Sequence, residues 1–176
     1  TIMNTEARRL QLFQTHFYTA SGLDTDLYNN PLPAGTHFTT PYDLVRLAHY
    51  AMNIPLFAKI VAVPEYKLPA TTTHAAEDWQ TTNTLLNNYQ GALGIKTGWT
   101  GAAGGCLVFA AKRNGHTLIG VVLHSVGTAS LQVAASNLSD NEKTAQEKNL
   151  DEQTRAADAK TLLDWGFGLP VQLPQV

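Results

Sequence analysis

Lys96-Thr97-Gly98 sets three different chemical capacities side by side. The lysine supplies a fixed positive charge. The threonine supplies a hydroxyl that can join it in hydrogen-bonding a carboxylate, and charge-assisted bonds of this kind are stronger than neutral ones. The glycine leaves the strand bare, so an extended peptide can lie against it like an added partner. Taken alone, such a triplet is more often a strand running into a turn. Acyl chemistry would also need an attacking group, and none of the five serines (Ser21, Ser125, Ser130, Ser136, Ser139) has a lysine three residues on. Ser21 precedes Gly22 in a turn and is not read as a nucleophile. Cys106 stands alone in an apolar run and reads as a small buried residue, not a thiol nucleophile. The histidines (His16, His37, His49, His74, His116, His124) show neither i,i+4 pairing nor Cys/His spacing, so no metal and no cofactor is expected.

The elements that would position the triplet follow from hydropathy patterning and breakers. Leu93–Thr97 is expected to be a strand, with the glycines that follow forming a sharp connection. Cys106–Ala111 and Thr117–Leu123 are expected to be two further strands, joined through Asn114-Gly115, a strong hairpin signal. The third of these strands is apolar enough to be covered on both faces. Upstream, residues 3–12 read as a helix without a start signal, and 15–37 as extended, turn-rich chain. The clearest helix is 41–52, with Thr40 as cap, Pro41 in the first turn and Asp43 third. A short helix is expected near 55–62, and loop with short strand pieces over 71–82. The polar stretch 127–153 reads as a surface excursion, partly helical, ahead of a final helix over 156–165. The charges Asp151, Glu152, Arg155 and Asp158 read as a solvated helix face.

Composition narrows the function classes. The 176 residues suit one domain, and 44% apolar with 15% charged residues is ordinary for a globular protein. A net charge of −2 gives no reason to expect nucleic acid. No apolar run is long enough to span a bilayer, and residues 1–6 have neither the basic start nor the apolar run of a signal peptide.

Beyond the triplet, five segments in order resemble the D-alanyl-D-alanine carboxypeptidases, the low-molecular-weight penicillin-binding proteins of bacterial walls. They are Thr15-His16-Phe17 with Ser21-Gly22-Leu23-Asp24, then His37 to Leu44, Thr82-Asn83-Thr84-Leu85-Leu86, Gly94 to Leu123, and Ala159 to Phe167. The resemblance runs from about residue 3 to 167. It implies an α/β (α+β) fold: a mostly antiparallel sheet flanked by helices on both faces, as in β-lactamases and transpeptidases. On that reading residues 1–176 are the C-terminal portion of a catalytic domain, with a polar insertion near 127–153 longer than the family usually shows. The family's nucleophile motif (Ser-x-x-Lys) and its Ser-x-Asn motif are expected to lie before Thr1. Thr82 stands where relatives often carry an arginine, which puts a carboxylate-gripping role there in doubt.

The resemblance also assigns roles. Lys96 is catalytic and substrate-binding, Thr97 and Gly98 are substrate-binding, and the main-chain N–H of Trp99 is half of an oxyanion hole. The other half belongs to the serine that this chain lacks, so the chain alone is expected to be inactive. The implied partners are the peptidoglycan stem peptide, β-lactams, and either the N-terminal half of the domain or a self-association partner. The implied location is outside the cytoplasmic membrane. Two alternatives stay open: a catalytically silent homologue that binds wall peptide or a partner protein, and, more weakly, a β-lactamase.

Overall fold

The computed structural model describes residues 2–26, 28–33 and 35–170. Its organising element is strand β4 (Gly104–Arg113), which lies between β3 (Ala92–Thr100) and β5 (His116–Ser125) in an antiparallel sheet of order β3-β4-β5. Alternation along β4 sends side chains to two separate cores. Leu107, Phe109 and Ala111 pack with Leu85, Tyr89, Ala159 and Leu163. Ala110 packs with Ala48 and Ile95, and Val108, Phe57 and Val61 close that second cluster. Burying side chains such as Phe109 and Leu107, each 1% exposed, contributes about 1.5–3 kcal/mol apiece. The expected helix-flanked antiparallel sheet is therefore present.

The helices that supply the two cores are α2 (Pro41–Met52) and α3 (Pro55–Val61) on one face and α6 (Asp140–Gly168) on the other. The expected cap of α2 forms: Thr40 Oγ1 accepts from the Asp43 N–H at 3.2 Å. Asp43 does more than favour the helix start. Its buried carboxylate accepts from Gln14 N at 2.9 Å and Thr15 Oγ1 at 2.8 Å, fastening the turn-rich segment to α2.

Three expectations about elements need correction. The helix expected over 3–12 is α1 (Ile2–Arg9). It stops early because Gln11 adopts a left-handed φ of 59°, and Leu12 N–H then bonds back to Ala7 O at 2.8 Å. That turn buries Leu12 against the helix end, as in a Schellman cap. The short strand expected within 71–82 does form, as β2 (Glu77–Gln80), and it pairs with β1 (Glu65–Leu68) upstream, the rings of Tyr66 and Trp79 facing each other at 5.8 Å. β5 is only half-buried along its centre, because nothing among the described residues pairs with its second edge. The fully covered strand is β4. Finally, the last helix starts earlier than expected: the polar stretch, partly helical as expected, is α5 (Thr128–Ala134) and the first half of a single 29-residue α6.

Along α6 the buried residues are Asp151, Arg155, Ala159 and Leu163, four apart, so they share one face. That face is apolar where it meets the core and ionic where it meets the end of β3. Gly105 lets the helix come close: a Cβ there would stand 2.6 Å from Asp151 O and 2.8 Å from Ser125 O.

The C-terminal part of α6 is also tied to the short helix α4 (Leu85–Asn88) through the residue after it. Tyr89 OH donates to Asp164 Oδ1 at 2.8 Å, and the Arg113 guanidinium lies 4.3 Å from the centre of the Tyr89 ring. Burial, then the bond to Asp164, pushes the phenol up to about 12, with Arg113 opposing. The folded state thus keeps this proton where the unfolded chain has lost it. Stability from this group is full below a pH of about 10 and declines as the pH rises through about 12. An alkaline titration of the phenolate absorbance is expected to show one late-ionising component that disappears in Tyr89→Phe. If wild type and variant titrate alike, the assignment is wrong.

Candidate active site

The Lys96-Thr97-Gly98 triplet sits on β3, which among the described residues is an edge of the sheet and pairs with β4 in the register Lys96↔Val108, Thr97↔Leu107, Gly98↔Cys106 and Trp99↔Gly105. The open side of β3 borders a groove of about 400 Å³. Lys96, Thr97, Gly98 and Trp99 all line it, so the four residues singled out in the sequence are brought together. Lys96 is exposed, and its Nζ donates to Thr97 O at 2.5 Å, which holds the ammonium along the strand. Thr97 Oγ1 shares a hydrogen bond of 2.6 Å with Thr82 Oγ1, so Thr82 supplies a second hydroxyl beside the lysine. Gly98 is exposed, and a Cβ placed on it would meet nothing closer than Cys106 Cβ at 3.7 Å. The space a side chain would take there belongs to the groove.

Behind the strand stands the ionic part of α6. Trp99 Nε1 donates to Asp151 Oδ2 at 3.0 Å, and Ser130 Oγ of α5 donates to Asp151 Oδ1 at 2.6 Å. Arg155, 3% exposed, donates from Nη1 to Gly98 O at 2.9 Å and pairs with Glu152 at 3.6 Å. Its burial lowers the guanidinium from its ordinary value, against the opposing attraction of Glu152. The reading of Asp151 and Arg155 as part of a solvated face is therefore wrong. Both are buried and reach the triplet's strand. A signal was available, since 151, 155, 159 and 163 continue the four-residue spacing of the apolar face. It was hidden because two of those positions are charged.

The other wall is the segment Ser21-Gly22-Leu23, which lines the groove opposite α6. Asp24 fixes it in place by accepting from Thr100 Oγ1 at 3.0 Å and from the Ala102 N–H at 3.3 Å. Sequence reasoning picked out this segment but not the role of Asp24. Cys106 is half-buried and lines the groove, which corrects its reading as a buried core residue. Among the described residues no group of three His, Cys, Asp or Glu is placed to hold a metal ion.

A further correction concerns the Ser-x-Asn signature, read as absent from this chain and expected before Thr1. The chain does contain one such triplet, Ser139-Asp140-Asn141. It opens α6: Glu142 Oε2 accepts from the Ser139 N–H at 3.0 Å and from Ser139 Oγ at 2.5 Å. This is a helix start, and the triplet does not line the groove.

The solved structures that resemble this helix-flanked antiparallel sheet, with Lys-Thr-Gly on its edge strand, are a DD-transpeptidase and a D-alanyl-D-alanine carboxypeptidase. The Streptomyces DD-transpeptidase crystal structure superposes with a TM-score of 0.69 at 32% identity, covering 95% of this chain and 53% of that one. A Mycobacterium tuberculosis D-alanyl-D-alanine carboxypeptidase gives 0.66 at 32%, covering 97% and 53%. The family described as D-alanyl-D-alanine carboxypeptidase matches residues 1–127, and the chain belongs to that family. A Streptomyces D-alanyl-D-alanine carboxypeptidase is 35% identical over 140 residues, 77% of this chain and 45% of the relative. The Mycobacterium tuberculosis relative is 32% identical over 170 residues, 97% and 48%. The chain spans about half the length of the curated relatives it matches.

Removing the Asp151 carboxylate would strand the Trp99 and Ser130 donors inside the protein. Asp151→Ala is expected to lower stability by about 1–3 kcal/mol in urea unfolding. Gln153→Ala, on the exposed side of the same helix, is expected to stay within about 0.5 kcal/mol. Equal effects from the two substitutions would show that the buried contacts hold nothing in place.

Proposed function

We propose that the chain is part of a serine D-Ala-D-Ala carboxypeptidase that trims peptidoglycan stem peptides through an acyl-enzyme, contributing the Lys-Thr-Gly strand. The observation that carries this reading is the placement of Lys96, Thr97 and Gly98 on an open sheet edge beside a groove, in a chain of this family. Lys96 supplies charge beside the substrate's terminal carboxylate and the serine's proton network. The hydroxyl of Thr97 binds that carboxylate, with Thr82 donating to the Thr97 oxygen. Gly98 keeps the lane beside the strand clear, and the Trp99 main-chain N–H faces the carbonyl oxygen that becomes an anion.

In the proposed reaction a serine hydroxyl from outside these 176 residues adds to the carbonyl carbon of the penultimate D-alanine. The peptide C–N bond breaks, the last D-alanine leaves with the serine's proton on its nitrogen, and an ester remains on the serine. Water then adds to the ester and returns the serine hydroxyl. β-Lactams acylate the same oxygen when their ring amide opens. Half of an oxyanion hole does not catalyse, so the second donor must also come with the serine. Such a substrate places the site outside the cytoplasmic membrane, and among the described residues no helix is long and apolar enough to cross one.

The proposed partner within the molecule is the other half of the domain, or a second copy in its place. Support comes from the unpaired edge of β5 and from large exposed apolar side chains such as Phe13, Tyr42 and Leu56. The chain alone is expected to self-associate or to melt without cooperativity; a monomer with one sharp transition would reject this partner. The silent-homologue reading is favoured only by the lack of a Ser-x-x-Lys in the chain. It predicts an intact mass equal to the whole reading frame.

Incubation with a fluorescent penicillin tests the main reading. Label is expected on a serine of polypeptide that co-purifies with this chain or is continuous with it. Lys96→Ala and Gly98→Val are each expected to slow labelling by about 10²-fold or more. Gly98→Val is the cleaner probe, because the position is open and the fold has room for the side chain. Unlabelled full-length protein would defeat the carboxypeptidase reading.

A further inference from the structure

The N-terminal half of α6 lies outside residues 1–127, the part of the chain that the family match covers, yet it forms one wall of the groove through Lys148, Glu152 and Arg155. The contacts along this wall run in a definite direction. Arg155 meets Gly98 and Asp151 meets Trp99, so moving toward the start of α6 means moving toward the end of β3. Lys148 is the next groove-lining residue in that direction. Seven residues of helix separate it from Arg155, a rise of roughly 10 Å, which is the length of about three extended residues. Lys148 therefore stands past Trp99, near Thr100 and Ala103, which line the same groove.

The charges of the groove are not all engaged. Glu152 is paired with Arg155 at 3.6 Å, and the Lys96 ammonium is bonded to Thr97 O. The Lys148 side chain is exposed and makes no hydrogen bond or ion pair among the described residues. The groove thus carries three cationic side chains and one carboxylate, and the cation without a partner is at the end remote from Thr97. A peptide whose terminal carboxylate is held at Lys96 and Thr97, with its penultimate carbonyl at Trp99, must run on toward Thr100.

From this we propose that Lys148 is a second anion-binding residue of the groove. It selects peptides ending in D-Ala-D-Ala whose third residue from the C-terminus carries a side-chain carboxylate. The proposal rests on the carboxypeptidase reading for the direction of the peptide, and adds a specificity-determining residue to it.

The test uses this chain together with the polypeptide that completes its domain, and three acetylated tripeptides, X-D-Ala-D-Ala, with X as aminoadipate, norleucine or lysine. Cys106, the single cysteine, lines the groove, so slowing of its alkylation by iodoacetamide reports binding without requiring turnover. The aminoadipate peptide is expected to bind about fivefold more tightly than the norleucine peptide, with the lysine peptide weakest. Lys148→Glu is expected to reverse that order. Lys143→Glu, which makes the same charge change on the same helix outside the groove, is expected to leave it alone. Equal binding of all three peptides, or an order unchanged in Lys148→Glu, would overturn the role of Lys148 while leaving the carboxypeptidase reading intact. Failure of every peptide to protect Cys106 would overturn both.

Discussion

An edge strand used as a binding surface has to be held from behind, because on its open side it has no neighbour to fix it. In this chain the holding is done by two ionic contacts on α6: Arg155 on the carbonyl of Gly98 and Asp151 on the indole of Trp99. Both side chains are buried, and taking charges out of water is costly unless each finds a partner. Asp151 finds two donors and Arg155 finds a carbonyl and Glu152. The cost of burial ties these residues to β3, since letting go of the strand would leave the charges uncompensated. A purely apolar contact could slide along the strand; a fork aimed at one carbonyl cannot.

How much of this could be read from sequence depended on whether apolar periodicity or polar geometry carried the information. The three strands, the Asn114-Gly115 turn and the Thr40 cap of α2 were legible because hydropathy and turn chemistry specify them locally. So was the placement of the triplet on a strand, which follows from the apolar run before it and the glycines after it. The extent of α6 was not legible, because Asp151 and Arg155 interrupt its apolar face with charges whose partners are about fifty residues away in sequence. Asp24 and Asp43 were missed for the same reason. Each ties down backbone and hydroxyl donors from a distant segment, and no local pattern marks them. The early end of α1 turned on a single glutamine taking a conformation that glycine usually fills.

The two sides of the groove also differ in kind. One wall is a loop, Ser21 to Leu23, held by hydrogen bonds of Asp24, Thr19 and Ser21; the other is a helix that continues into the hydrophobic core. Displacing α6 at the groove would disturb the packing of Ala159 and Leu163 farther along, so the helical wall shares the stability of the core. The loop wall has polar bonds to lose, those of Asp24 and those that Thr19 and Ser21 make to the Gly22 and Leu23 N–H groups. The proposed charge discrimination falls on the helical side.

The Thr82–Thr97 contact has its own consequence. Two hydroxyls 2.6 Å apart own two protons, and the bond between them uses one. If Thr82 donates, the proton of Thr97 is free to point elsewhere; if Thr97 donates, that of Thr82 is. An anion entering beside Lys96 therefore meets one hydroxyl ready to give rather than two. Which of the pair gives is set by where the negative charge comes to rest, so the guest itself decides the orientation of a hydrogen-bond chain that the empty groove leaves undirected.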